Sequence, residues 1–241
     1  MRKAAKENVI VVCTVVLCFM VTIGLCTFYS GDGILGALSV SKSGAENAYA
    51  VAVGGYTDIT LARTTSDLIK KRGGAGYVIK GDTIEIVYAV YPDEETARKV
   101  LSALGEGSAY VKTVEIPASK LKWASGDTKN AVVDALTYYK IIFDKLYSTA
   151  NSLYDGSIDV QGANTQIRVL KSQIEEIKSV FYKETEGNES KQITEIKLAL
   201  VTSLALLENV KTTGTVAAFV SSLRYAQVQL VMCRQALMNA I

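Results

Sequence analysis

The sequence predicts an α+β protein: an N-terminal transmembrane helix, a ferredoxin-like βαββαβ domain, and a C-terminal antiparallel four-helix bundle. Three observations predict it. Val9 to Tyr29 carries no charge over 21 residues; from Ala48 to Pro117 strand-like and helix-like apolar periods alternate; beyond residue 126 only the helical period remains. The expected parts are a tail (1–8), an anchor (9–29), a linker (30–47), the mixed domain (48–117), a second linker (118–126) and the bundle (127–241).

At about 1.5 Å per residue the uncharged run matches the roughly 30 Å hydrocarbon core of a bilayer. It is longer than the apolar region of a cleaved signal peptide, about 7 to 15 residues, so an uncleaved signal anchor is expected. Arg2, Lys3 and Lys6 precede it and no basic residue follows until Lys42. The positive-inside rule then places the N-terminus in the cytoplasm and the rest outside a cell membrane crossed once.

Composition excludes several functions. The chain has 26 basic and 24 acidic residues; the tail takes three and one, leaving 23 of each, so no nucleic-acid partner is called for. There is no histidine, which removes His-based triads, Cys-His dyads and HExxH zinc sites. Cys13, Cys18 and Cys26 sit in the anchor and only Cys233 lies beyond it, so intramolecular disulfides do not staple the exterior part. Neither cofactor nor metal is expected. Gly31, Gly33 and Gly36 match G-x-G-x-x-G, but without the preceding strand and following helix that a dinucleotide site requires.

The first strand of the mixed domain is "YAVAVGGY", with Val51 and Val53 on one face and Ala50, Ala52 and Gly54 on the other. A helix follows, capped by Thr57 or Asp58, with Leu61, Ala62, Thr65, Leu68 and Ile69 as its apolar stripe and Gly73 and Gly74 as its stop. "AGYVIKGDTIEIVYAVYP" reads as a hairpin turning at Gly81 and Asp82. In its second arm Ile84, Ile86 and Tyr88 share one face, and Glu85, Val87 and Ala89 the other. Asp93, Glu94 and Glu95 open a second helix whose stripe is Ala97, Val100, Leu101 and Leu104. "AYVKTVEIP" is the fourth strand, stopped by Pro117. In this order both helices lie on one face of an antiparallel sheet and leave the other face open.

The stretch from Ala48 to about Pro117 resembles the SPOR (sporulation-related repeat) domains. The resemblance rests on Val51, Val53, Gly54, Gly55 and Tyr56 in the first strand, on Ala62, Ile69 and Gly73 along the first helix, and on Tyr91, Ala97, Leu101 and Leu104. It implies a non-catalytic, membrane-anchored module of the bacterial cell envelope. Such a module binds peptidoglycan, particularly glycan strands stripped of stem peptides, on the open sheet face during cell division or sporulation. The glycan-binding positions it suggests are Ala50, Ala52, Tyr77, Glu85, Val87, Tyr110 and Lys112, with Glu85 and Lys112 as polar contacts and Tyr77 or Tyr110 as stacking platforms. Either parity of the second and fourth strands fits the sequence.

One departure stands out: members of that family often carry glutamine where this chain has Ala52. A face of Ala, Val and Gly offers few hydrogen-bonding groups, so a second reading stays open. In it the face is covered, by the C-terminal bundle or by a partner protein, and the chain serves in assembly. The clustered carboxylates Asp93, Glu94 and Glu95 are better explained as a helix start than as a hydrolase pair.

In the bundle, the seam residues are Val132, Leu136, Tyr139, Phe143, Leu146, Ala150 and Leu153; then Val160, Ala163, Ile167, Leu170, Ile174, Ile177 and Phe181. Two further runs carry Ile193, Ile196, Leu200, Leu207 and Val210, and Val216, Phe219, Leu223, Ala226, Leu230 and Leu237. Short, turn-rich connections favour antiparallel neighbours. The last run is apolar enough to raise a second membrane span, but Arg224, Gln227, Gln229, Arg234 and Gln235 favour the central helix of a bundle. Trp123 is expected to pack between the two domains.

Overall fold

A computed structural model describes residues 45–105, 107–119 and 127–241. The expected anchor, the glycine motif at 31–36 and Trp123 lie outside the described residues. Among the described residues the chain is α+β, with a four-stranded antiparallel sheet and six helices. The elements are β1 (Glu46–Tyr56), α1 (Ile59–Lys71), β2 (Tyr77–Lys80), β3 (Ile84–Tyr91), α2 (Glu94–Leu104) and β4 (Ala109–Ile116). Four long helices follow: α3 (Asp127–Tyr154), α4 (Val160–Glu184), α5 (Lys191–Glu208) and α6 (Val216–Ala240). The strand order is β2-β3-β1-β4. β1 starts two residues before the expected domain boundary, because Glu46 and Asn47 pair with Ile116 and Glu115.

Caps and glycines set the elements in place. Asp58 Oδ1 accepts from the Thr60 amide at 2.6 Å, and Asp93 Oδ1 accepts from the Thr96 amide at 2.7 Å. Asp93 is therefore a cap, while Glu95 pairs with Lys99 at 2.6 Å and Glu94 with Arg98, as expected of a helix start. β1 is irregular where "GGY" falls: Val53 pairs with Ile86 but Tyr56 pairs with Ile84, so the β1 side holds one residue more. Gly55 takes φ +88° there, a left-handed conformation that glycine adopts without steric cost.

A second irregularity corrects a predicted face. Val51 pairs with Ala89 and Ala52 with Val87, so Tyr88 is an extra residue in β3. The bulge turns Ala89 to the inner face with Val51, not to the outer face with Glu85 and Val87. The stripe of α1 is also corrected. Ala62, Ser66 and Ile69 are buried, whereas Leu61 and Leu68 are exposed. Ser66 is tolerated on the inner side because its hydroxyl donates to the Gly76 carbonyl at 2.6 Å.

The inner face of the sheet packs on α1 and α2 through Val51, Val53, Ile86, Ala89 and Tyr91. Of the long helices, α3 packs on α4 and α6, and α5 packs on α4 and α6. The expected seams are buried, with two kinds of exception: Leu136, Phe143, Val160 and Ile177 are half-buried, and Val216, the first residue of α6, is exposed. The described residues belong to one compact unit, Gly44–Ile241, and the outer face of the sheet shares a continuous core with the long helices.

Candidate functional site

The outer face of the sheet is set by register. On β1 it carries Ala48, Ala50, Ala52 and Gly54; their neighbours are Val114, Lys112 and Tyr110 on β4, and Val90 and Val87 on β3. Tyr77 and Ile79 on β2 lie opposite Val87 and Glu85 and complete it. All seven candidate positions, Ala50, Ala52, Tyr77, Glu85, Val87, Tyr110 and Lys112, therefore lie on one face.

That face is not open. Ala50, Ala52 and Val87 are 1% exposed or less, and Ala48, Ala50, Val87, Val90, Val114 and Ile116 belong to the core shared with the long helices. The covering element is α6, which packs on both β3 and β4. Small side chains on β1 suit such a position, because they let a helix approach the sheet closely. Tyr77 is half-buried, its ring 5.1 Å from that of Tyr225 at 57°.

Polar ties along α6 hold the cover. Arg224 Nη1 donates to the Gly73 carbonyl at 3.0 Å, and its guanidinium lies 5.2 Å from the Tyr154 ring and 5.8 Å from the Tyr88 ring. Gln235 Nε2 donates to the Glu115 carbonyl at 2.8 Å, and Arg234 Nη2 pairs with Glu46 Oε2 at 3.0 Å. These residues were missed as contacts in the sequence, although their signal was there: they are the polar interruptions of the last apolar run. The same run, Val216–Ala240, is long and apolar enough to cross a membrane by length and composition, and just over half of its most apolar stretch is buried inside the fold.

At one end of the face three candidates remain reachable and meet each other. Tyr110 Oη donates to Glu85 Oε1 at 2.6 Å, and Lys112 Nζ donates to Glu85 Oε2 at 2.6 Å. The Tyr110 side chain crosses β1 at Gly54, where a Cβ would stand 2.9 Å from the phenol oxygen. A glycine at 54 thus keeps the path from β4 to β3 clear. The Lys112 hydrogen bond, then the Tyr110 one, holds the Glu85 carboxyl below the usual carboxylate range. Burial, and then the bond to Glu85, pushes the Tyr110 phenol up to about 12. The patch is an aromatic edge beside a paired carboxylate and ammonium, with Lys112 the most exposed of the three pairing groups. It can hydrogen-bond a polar ligand, but each of its charges already has a partner.

Among the described residues no His, Cys, Asp and Glu side chains gather as a set of metal ligands would. Compared with family models, with curated proteins and with solved structures, the chain gives no match.

Proposed function

We propose that the chain is a membrane-anchored, non-enzymatic assembly protein of the bacterial cell envelope, built on a SPOR-type, ferredoxin-like domain fused to a four-helix bundle. The uncharged run at 9–29 behind a basic tail supports the anchor. The order of elements, the Gly-Gly bulge of β1 and the two helices on one face support the domain type.

The observation that carries the assembly reading is the burial of Ala50, Val87 and Val90 in the core shared with the long helices, with α6 packed on β3 and β4. A glycan strand needs an accessible surface rich in hydrogen-bonding and stacking groups. Here the middle of the corresponding face is apolar and internal, which leaves the outside of the long helices to meet partners. Leu198 and Val201 are 59% and 44% exposed on α5, one turn apart on one side, and Val169 and Val180 are exposed on α4. Apolar side chains at helical spacing on a solvent-facing side suit an amphipathic helix of a protein partner.

The test is co-sedimentation of the full-length chain, in mild detergent, with intact and amidase-treated peptidoglycan sacculi. No enrichment on the amidase-treated material is expected. A photo-crosslinking residue placed at Leu198 in the producing cell should form a discrete protein adduct that Val201→Glu abolishes.

A second reading, glycan binding at the rim, is favoured by the accessibility of Glu85, Tyr110 and Lys112. It requires enrichment on amidase-treated sacculi that disappears in Lys112→Ala.

A further inference from the structure

A groove of about 640 Å³ opens where the end of α1 meets the α5–α6 connection and the N-terminal half of α6. Its volume lies within the roughly 300–1,000 Å³ range of small-ligand sites. The charge on its walls is one-sided: Lys70, Lys71 and Lys211 line it, and no carboxylate does. Asp67 is 3.6 Å from Lys70 Nζ but is itself 71% exposed, so water screens that pair. Among the described residues, Lys71 and Lys211 have no ion-pair partner.

The cations come from two separate elements, and the fold fixes both. Lys70 and Lys71 end α1, whose following turn is tied to α6 by Arg224. The Lys211 backbone is held to α6 through Ser222, whose Oγ accepts from the Lys211 amide at 3.1 Å. Thr215, the α6 N-cap, also lines the groove, and the first turn of this 25-residue helix contains no acid to offset its positive end. Lysine ammoniums hold phosphate as point charges, and the positive end of the helix adds to their field.

The remaining wall is suited to something other than a bare ion. Tyr225 lines it, its half-buried ring packed on Tyr77 and 6.0 Å from Lys70 Nζ, and Asn209 and Gln229 supply amides that both donate and accept. Aromatic faces and side-chain amides are what sugar rings and their hydroxyls require.

We propose that this groove binds a phosphorylated sugar, with the phosphate on Lys70, Lys71 and Lys211 and the sugar against Tyr225, Asn209 and Gln229. Nothing in the candidate glycan face takes part, so the site operates with α6 docked on the sheet.

The full-length chain in mild detergent is titrated calorimetrically with glucose 6-phosphate, glucose and inorganic phosphate. Saturable binding of glucose 6-phosphate with a dissociation constant at or below about 1 mM, tighter than for either fragment, is expected. The combined variant Lys70→Ala, Lys71→Ala, Lys211→Ala should weaken it about tenfold or more. A variant with the same charge loss elsewhere, Lys80→Ala, Lys145→Ala, Lys178→Ala, should not. All six side chains are on the surface or partly so, and an unchanged thermal midpoint will show that both variants fold. Absence of saturable binding, or equal loss in the two variants, would overturn the site. Inorganic phosphate binding as tightly as the sugar phosphate would overturn its assignment to a sugar.

Discussion

The two faces of the sheet are built from similar residues and closed in different ways. The inner face, with Val51, Val53, Ile86 and Tyr91, is covered by α1 and α2, which come from the same βαββαβ unit. The outer face, with Ala48, Ala50, Val87 and Val90, is covered by α6, more than 100 residues further along the chain, and the Arg224 to Gly73 bond ties residues 151 apart. Mainly local connections close the first face, with Tyr147 of α3 edge-on to Tyr91 at its margin; packing of small side chains and a few polar ties close the second. The residues resemble a domain with an open face, yet their side chains are those of a closed one.

The largest effect in breaking this symmetry is expected from Ala52→Gln. On an open face the longer polar side chain would add a hydrogen-bonding group and leave stability unchanged. At a position with 0% exposure it has to overpack its surroundings and bury an amide, so a loss of about 3 kcal/mol or more is expected. Urea unfolding measures it, with Leu61→Gln on the exposed side of α1 as a reference expected within about 0.5 kcal/mol of the parent.

Next is Arg224→Met, which keeps the stem but removes the donor to Gly73 O and the contact with Tyr88 and Tyr154. A buried carbonyl left without its charged partner costs about 2 kcal/mol. Hydrogen exchange should quicken in the α1–β2 turn before it does elsewhere. Arg224→Lys should restore little of this, because an ammonium cannot both reach the carbonyl and stack as a guanidinium does.

How much of this was legible in the sequence follows from the range of each interaction. The helix starts, the hairpin and the apolar seams depend on neighbours a few residues away, so spacing reveals them; it left Thr57 or Asp58 as the first cap, and the bond from the Thr60 amide decides for Asp58. The bulge at Tyr88 was not visible, since alternation in "IEIVYAVY" gives no sign of an extra residue, and it moved Ala89 to the other face. The exposure of Leu61 and Leu68 was hidden because either of two adjacent stripes on α1 fits a helix, and the bond from Ser66 to Gly76 chooses between them. That Glu85, Tyr110 and Lys112 meet depends on strand pairing across β1, which sequence parity left open. The alanine face itself was the clearest hint of a cover, and the polar positions of the last helix were the other half of it.

Smaller effects sharpen the contrast at the rim, where the outer face is still reachable. Gly54→Ala places a methyl group 2.9 Å from the Tyr110 oxygen and pushes the ring away from Glu85, for a loss of about 1 kcal/mol. NMR titration of the tyrosines should find the Tyr110 phenol below its parent value of about 12.

The smallest expected effect is on pH dependence. The folded pKa of Glu85 lies below its ordinary 4.5, so its stabilising contribution is complete above that value and is lost as the pH falls through the folded pKa. Glu85→Gln should therefore flatten the acid limb of the stability curve and shift it by well under about 1 kcal/mol, because half-exposed Lys112 leaves the pair screened by solvent.

Whether α6 stays on the sheet can be measured most directly by thiol labelling at the centre of the covered face. A chain in which Cys13, Cys18, Cys26 and Cys233 are replaced by alanine and Ala50 by cysteine is treated with a thiol reagent under native conditions. If the face is internal, labelling is slowed by at least about a thousandfold relative to the unfolded chain, an opening free energy of roughly 4 kcal/mol, and Arg224→Met speeds it. Labelling as fast as at an exposed cysteine would mean that α6 leaves the sheet readily and that the face is available to a ligand.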